Sequence, residues 1–377
     1  MKRTRVLIAV GAVALAMVAA ACSKSTTSSP TTAASGGGGS TSATPFKAAW
    51  IYVGSPSDAG WTHAHDQGRL AVQQALGSQG VQTIFKENVP EGPQVTQVID
   101  DLVNQGAKII FATSYGFQPA MVTAAKKYPK VYFEQATGTE LSSNLSEYFG
   151  AGENGDYLSG MAAGYASTTG KIGFVAPYPI PEVIREIDAF TMGAQYAHPG
   201  ATVQVVWTNT WFDPNKERQA AQSLVTAGVD VLGDGQDSPT TGQVAQSAGL
   251  KWTGYDSDQN SFAPNAFLTA TTYNWGPYYV NEVKAAMNGT WASHFYYGDI
   301  KDGFIVMAPY GSSVTSEAAA AIDKRESEIK DGTFDPFAGP ITGQDGTVVV
   351  AAGTTLTVNQ KYAIDWFVKG VIGSPKG

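Results

Sequence analysis

From about residue 46 onward, short apolar runs alternate with longer stretches in which apolar residues recur every three or four positions. The short runs read as strands buried on both faces, and the longer stretches as helices packed against them along one side. AAWIYV over 48–53 is such a strand, followed by a loop over 54–60 and a helix over 62–76 with Leu70, Val72 and Ala75 on one side. A strand over 81–85, a helix over 92–105, a strand over 108–113, a helix over 119–128, a strand over 131–134 and a helix over 157–166 continue the series. The pattern then restarts, with strands over 171–176, 202–207, 229–232 and 251–255 separated by helices over 181–198, 215–227 and 240–248. Trp207 and Trp252 fall inside these strands and read as core. Parallel strands need helical crossovers, so the class is α/β, with a doubly wound parallel sheet flanked by helices occurring twice.

The first 45 residues follow another pattern. Lys2, Arg3 and Arg5 precede an apolar run over 6–21 that ends in three alanines before Cys22, the sole cysteine of the chain. That arrangement describes a secretory signal, and the run is short for a membrane span. Cys22 stands where a lipoprotein signal peptidase leaves a lipid-bearing N-terminus, although Ala19 occupies the place where such signals usually carry leucine. Residues 23–44 are almost all Ser, Thr, Ala and Gly, which cannot form a core and make a flexible tether. The expected organisation is a signal peptide over 1–21, a tether over 22–45 and a folded unit held outside the cytoplasm by a lipid on Cys22.

The folded part, about 330 residues, exceeds the usual size of a single core, so two lobes are expected. The first would comprise 46–167 with 270–300 and the second 168–269 with 301–377, with joints near 167–170 and 267–273. In the tail, a helix over 278–287 would complete the first lobe, followed by a strand pair over 301–308 and a helix over 316–332.

A formal charge of −8 argues against nucleic acid or anionic lipid as a partner. Four histidines leave little for a metal centre, although His63 and His65 would share one face if they lay on a strand. No nucleophile elbow, phosphate-binding P-loop, zinc-protease helix or dinucleotide fingerprint occurs. Neither an enzyme nor a cofactor is expected.

Open parallel sheets bind ligands outside the carboxyl ends of their strands. Residues at those positions include Asp58, Trp61 and Thr62 after the first strand, Tyr115 and Phe117 after the third, and Glu134 at the end of the fourth. The second half adds Tyr178 between two prolines, then Trp211, Asp237, Asp256 and Asp258; the returning joint adds Tyr273 and Trp275. Seven aromatic and five carboxylate residues converge in this way, which fits a flat, uncharged or cationic ligand rich in hydrogen-bond donors. Asp58 and Asp237 could equally cap the helices that follow them.

The run WIYVGSPSDAGWTHAHDQGR over 50–69 resembles the first strand, loop and helix of the basic membrane protein (BMP) family, the substrate-binding lipoproteins of ABC importers. The similarity continues through ENVPEG (87–92), FATSYGF (111–117), FEQATG (133–138), WTNTWFDP (207–214), GYDSDQ (254–259), WGPYY (275–279) and KDG (301–303). The resemblance implies a two-lobed, type I periplasmic-binding-protein fold that closes on a purine-type ligand and delivers it to a membrane permease, with the protein acting as a monomer. It also implies that Asp58 keeps its family role and that Trp61 replaces a stacking phenylalanine. Thr62 stands in place of a base-reading asparagine, and Tyr273 in place of a lysine. Gly254, Asp256 and Asp258 match a family turn whose first aspartate holds sugar hydroxyls, while Asp237 is an added carboxylate. These departures favour a free nucleobase such as adenine over a nucleoside. Riboflavin-like flavins or other aromatic heterocycles remain compatible with the site, and a sensing rather than importing lipoprotein is the alternative role.

Overall fold

The computed structural model describes residues 44–377. The expected signal run, Cys22 and nearly all of the tether lie outside the described residues.

The first strand, β1 (Phe46–Ile51), shows how sequence becomes layer. Ala48 and Trp50 point into one cluster together with Ile109 and Phe111, whereas Ala49 and Ile51 point into another with Ile110, Ile99 and Met121. A strand buried on both faces needs helices on both sides. Those are α1 (Trp61–Leu76) on one face and, after β2 (Val81–Lys86), α2 (Gln94–Asn104) on the other. Val95, Ile99 and Leu102, at helical spacing on α2, are all buried. Then follow β3 (Ala107–Ala112), α3 (Gln118–Lys127), β4 (Tyr132–Ala136) and β5 (Leu145–Gly150). The polar sequence of β5 conceals it from periodicity, yet every residue in it is buried, Ser146 and Glu147 included.

The chain next forms α4 (Gly152–Ala166), β6 (Lys171–Ala176), α5 (Pro181–Ala197), β7 (Thr202–Trp207), α6 (Pro214–Thr226), β8 (Val231–Asp234), α7 (Thr240–Ser247), β9 (Lys251–Asp256) and β10 (Phe267–Tyr273). It returns through α8 (Trp275–Asn288) and β11 (Phe295–Gly298), then crosses again to β12 (Ile305–Met307) and α9 (Ser316–Lys330). A final segment holds β13 (Ile341–Thr342), β14 (Val348–Val350), α10 (Val358–Lys361) and β15 (Val371–Ile372).

Two main sheets result, ordered β11-β5-β4-β3-β1-β2 and β12-β10-β9-β8-β6-β7-β15. All their pairings are parallel except β10 with β12. The expected doubly wound α/β class is therefore present twice.

The crossings differ from those expected at 167 and 270. Helix α4 packs on α5 and β10, so it stands with the second sheet. Gly160 and Gly193 make this possible, because a Cβ on either would collide with the carbonyl of Phe190 or Tyr157 on the opposing helix. β10 is likewise a strand of the second sheet. The chain thus passes between sheets after β5, after β10 and after β11. His63 and His65 lie on α1 rather than on a strand. Trp252 is core as expected, whereas Trp207 is half-buried and donates to the Ser374 carbonyl (2.8 Å) of the C-terminal segment.

Candidate functional site

The loops at the carboxyl ends of both sheets meet around a narrow cleft of about 20 Å³. From the first sheet come Val53, Trp61, Ser114, Tyr115 and Thr137. From the second come Glu182, Glu186, Trp211, Asp237 and Tyr255. The rims touch directly: the Ala59 carbonyl, after β1, accepts from Ser257 Oγ (2.5 Å) and Gln259 Nε2 (3.0 Å), both after β9. Gly60 lies so close to the Asp237 backbone that a Cβ there would overlap its carbonyl.

Trp61 opens α1 at the cleft wall. Its Nε1 donates to the Thr113 carbonyl (2.6 Å), and its ring stands edge-on to His65 (centroids 4.4 Å) and Trp275 (5.4 Å). The indole is therefore locked in place while still lining the cleft. Tyr115 is exposed and lines the same space. Tyr178 and Trp211 meet edge to face at 5.0 Å and share an outer groove next to the cleft.

Asp58 resolves as a helix cap. Its Oδ1 accepts from the backbone N–H groups of Gly60 and His63 and its Oδ2 from that of Thr62, each at 2.9 Å. Burial raises its pKa even against those bonds. Thr62 is buried beneath the loop with its hydroxyl unpartnered.

The second wall is different. Asp237 Oδ2 and both carboxylate oxygens of Asp256 are buried without a hydrogen-bond partner. Burial, then the neighbouring carboxyls of Asp58 and Glu217, pushes the Asp237 pKa well up; burial, then Asp237 and Asp58, does the same for Asp256. Asp256 also adopts a left-handed backbone, with φ of +67°, at the end of β9. Unpaired buried acceptors are costly and are the groups a donor-bearing ligand would satisfy. Asp258 is exposed and accepts from the Asn260 N–H (3.0 Å), a turn role rather than a cleft contact.

Four expected site residues stand elsewhere. Phe117 is fully buried in the core beneath β3 and α3. Glu134 is fully buried and accepts from Tyr278 Oη (2.7 Å) and Trp291 Nε1 (2.6 Å), which ties α8 to β4. Trp275 sits behind Trp61, stacked on His65 (4.0 Å) and Tyr273 (5.2 Å). Tyr273 reaches Glu186 Oε1 (3.3 Å) and Tyr255 Oη (2.9 Å), so it positions cleft residues without lining the cleft.

Glu182, Glu186 and Tyr255 were missed. The two glutamates lie in the first turns of α5, beyond the loop that follows β6. An acidic residue straight after Pro181 at a helix start was the available signal. Burial outweighs the nearby Arg185 and pushes the half-buried Glu182 carboxyl up to about 7.

A paired α/β architecture with a cleft at the facing strand ends defines the type I periplasmic-binding-protein fold. Solved structures agree: a solute-binding protein of an ABC transporter from Aeropyrum pernix K1 matches with a TM-score of 0.69 at 16% identity, covering 77% of this chain and 93% of that one. Another from Conexibacter woesei matches with a TM-score of 0.63 at 20% identity, covering 77% and 98%. The chain belongs to the Bmp family of PnrA-like ABC transporter substrate-binding proteins, whose model matches residues 46–334. It is 39% identical to a purine-binding protein of Brucella abortus, over 86% of this chain and 92% of that one. It is 33% identical to a putative ABC transporter glucose-binding protein of Haloferax volcanii, over 78% and 74%. The family is one of solute-binding transport proteins that act outside the cytoplasm, which makes a small-molecule ligand and a membrane permease its partners.

Proposed function

We propose that this protein captures a purine-type molecule, an adenine-like nucleobase or a nucleoside, between its two sheets and hands it to an ABC permease. The observation that carries the reading is the pairing of a fixed indole, Trp61, with the buried and unpartnered Oδ2 of Asp237 across the cleft, backed by the unpartnered Asp256 carboxyl close to Asp237. A purine offers a flat ring for the indole and N–H donors for the carboxylates. Competitors lacking those donors would leave the acids unpaired and lose several kcal/mol. The 39% identity to a purine-binding protein supports the same choice. The proposal includes a monomer tethered by a lipid on Cys22, with residues 23–44 as the leash.

An indole beside carboxylates also suits a sugar ring, and one relative carries a glucose-binding name. The discriminating experiment is a thermal-shift screen with adenine, hypoxanthine, adenosine, riboflavin and glucose, followed by calorimetry on each hit. A rise with adenine or hypoxanthine supports the nucleobase reading; a larger rise with adenosine moves it to nucleosides. A response to glucose or riboflavin alone replaces it. The lipid anchor is tested separately: Cys22→Ser should release the protein from membranes, and a variant that still sediments with them overturns the anchor.

A further inference from the structure

Beside the cleft lies a second cavity of about 220 Å³, which shares Tyr115, Thr137 and Glu182 with the first. Its far wall holds Arg185 and Tyr362. Arg185 is 1% exposed, and neither of its terminal nitrogens, Nη1 and Nη2, has a hydrogen-bond partner.

The reason lies in the charge arrangement around it. Arg185 spends only its Nε on Glu153 (3.3 Å). The same carboxylate already receives Lys361 Nζ (3.0 Å) and Tyr297 Oη (2.7 Å). Burial would raise the Glu153 pKa, but Lys361 and Arg185 together outweigh it and hold the carboxyl ionised below its usual range. Two buried cations therefore share one buried anion. Asp335, which meets Lys361 at 3.4 Å, is about a third exposed and compensates weakly. Glu182 and Glu186 also face Arg185, but burial raises both carboxyls and weakens the charge they offer it. Burial, then Asp156 and Glu182, pushes Glu186 well up, and burial pushes Glu147 up to about 9. The guanidinium is clamped between the rings of Phe149 (5.4 Å) and Tyr362 (5.1 Å). Those faces stabilise its charge but take none of its terminal N–H bonds. A planar, pre-oriented fork of free donors at a cavity wall is matched to a carboxylate or a pair of ring acceptors.

We propose that this annex is a second subsite of the ligand cleft, in which the two terminal nitrogens of Arg185 hold an anionic or oxo substituent carried on the ring of the bound molecule. The proposal rests on the purine reading above and adds to it a preference for purines bearing such an acceptor. Lys361 and Tyr362 belong to the segment after residue 334, beyond the stretch matched by the family model. The annex is thus completed by a part of the chain that the family model does not cover.

The test is calorimetry on the full chain with two probes, purine and purine-6-carboxylate. The wild-type protein should bind the carboxylate at least tenfold more tightly than purine itself. Arg185→Lys keeps a charge but loses the fork, and Arg185→Gln loses both, so the preference should shrink in that order. The readout is the ratio of two affinities on one protein, which cancels a general loss of folded material. Because the wild-type ratio needs no variant, a variant that fails to fold leaves the test intact. Purine binding with no preference for the carboxylate overturns the annex alone. A preference that survives unchanged in both variants also overturns it. If neither probe binds, the purine reading itself fails and takes the annex with it.

Discussion

Asp58, in the loop after β1, and Asp256, at the end of β9, are neighbouring carboxyls beside the cleft, yet their physical situations are opposite. Asp58, on the first-sheet side, commits both oxygens to three backbone N–H groups that start α1. Asp256, on the second-sheet side, has neither oxygen paired. The first carboxylate stabilises the loop that carries Trp61; the second destabilises the empty cleft. One wall is therefore finished by folding, and the other is left for the ligand to finish. This division explains how a binding protein stays folded without cargo and still rewards its capture.

The comparison can be broken in several ways. The largest effect is expected from Trp61→Ala, which removes a ring that both lines the cleft and packs on His65 and Trp275. Adenine affinity should fall at least tenfold, and the melting temperature should drop as well, since deleting a packed tryptophan costs about 3–5 kcal/mol. An unchanged melting temperature would show that the indole is held only by the ligand.

Gly60→Ala comes next. Its Cβ would overlap the Asp237 carbonyl, so the rims could not meet as they do. Small-angle scattering with saturating adenine should report a larger radius than for the wild type, and affinity should fall at least tenfold. A variant that compacts normally would show that rim contact is dispensable.

The two aspartates should then separate. Asp256→Asn replaces a buried carboxyl that has no hydrogen-bond partner while keeping its shape, so the ligand-free melting temperature should hold or rise while adenine affinity falls at least tenfold. Asp58→Ala should instead cost about 1–2 kcal/mol of stability as a lost helix cap. Equal thermal behaviour of the two variants would erase the distinction between the walls.

The smallest effect concerns Glu147 on β5, where burial lifts the carboxyl from 4.5 to about 9. Between those values the folded chain holds a proton that the unfolded chain has released, so stability falls as pH rises through the window. Glu147→Gln should raise the melting temperature at pH 8 and converge on the wild type near pH 4. A constant offset across that range would show that the carboxyl does not titrate with folding.

Much of the architecture is local and therefore legible. The alternation of apolar runs on β1 and β3, and the helical spacing of Val95, Ile99 and Leu102, follow from which faces must be buried. Strand β5 escaped because its Ser146 and Glu147 are polar residues placed inside, which no periodicity announces. The crossings escaped for a similar reason: α4 belongs with the second sheet because Gly160 and Gly193 admit a close helix pair, a fact about two segments at once.

The site divides along the same line. Position after a strand end pointed to Trp61, Tyr115, Trp211 and Asp237, which line the cleft. The same rule placed Phe117 and Glu134 there, although one fills the core and the other anchors α8. The sequence by itself determined the two α/β layers, the loops that carry the ligand chemistry and the acidic, aromatic character of the cleft, since these depend on periodicity and composition. Only the tertiary structure decided that Asp58 is spent on a cap, that Trp275 and Tyr273 stand behind Trp61, and that Arg185 keeps two free nitrogens. Each of those outcomes depends on which distant residue supplies or withholds a partner, and pairing of that kind is a property of three-dimensional packing.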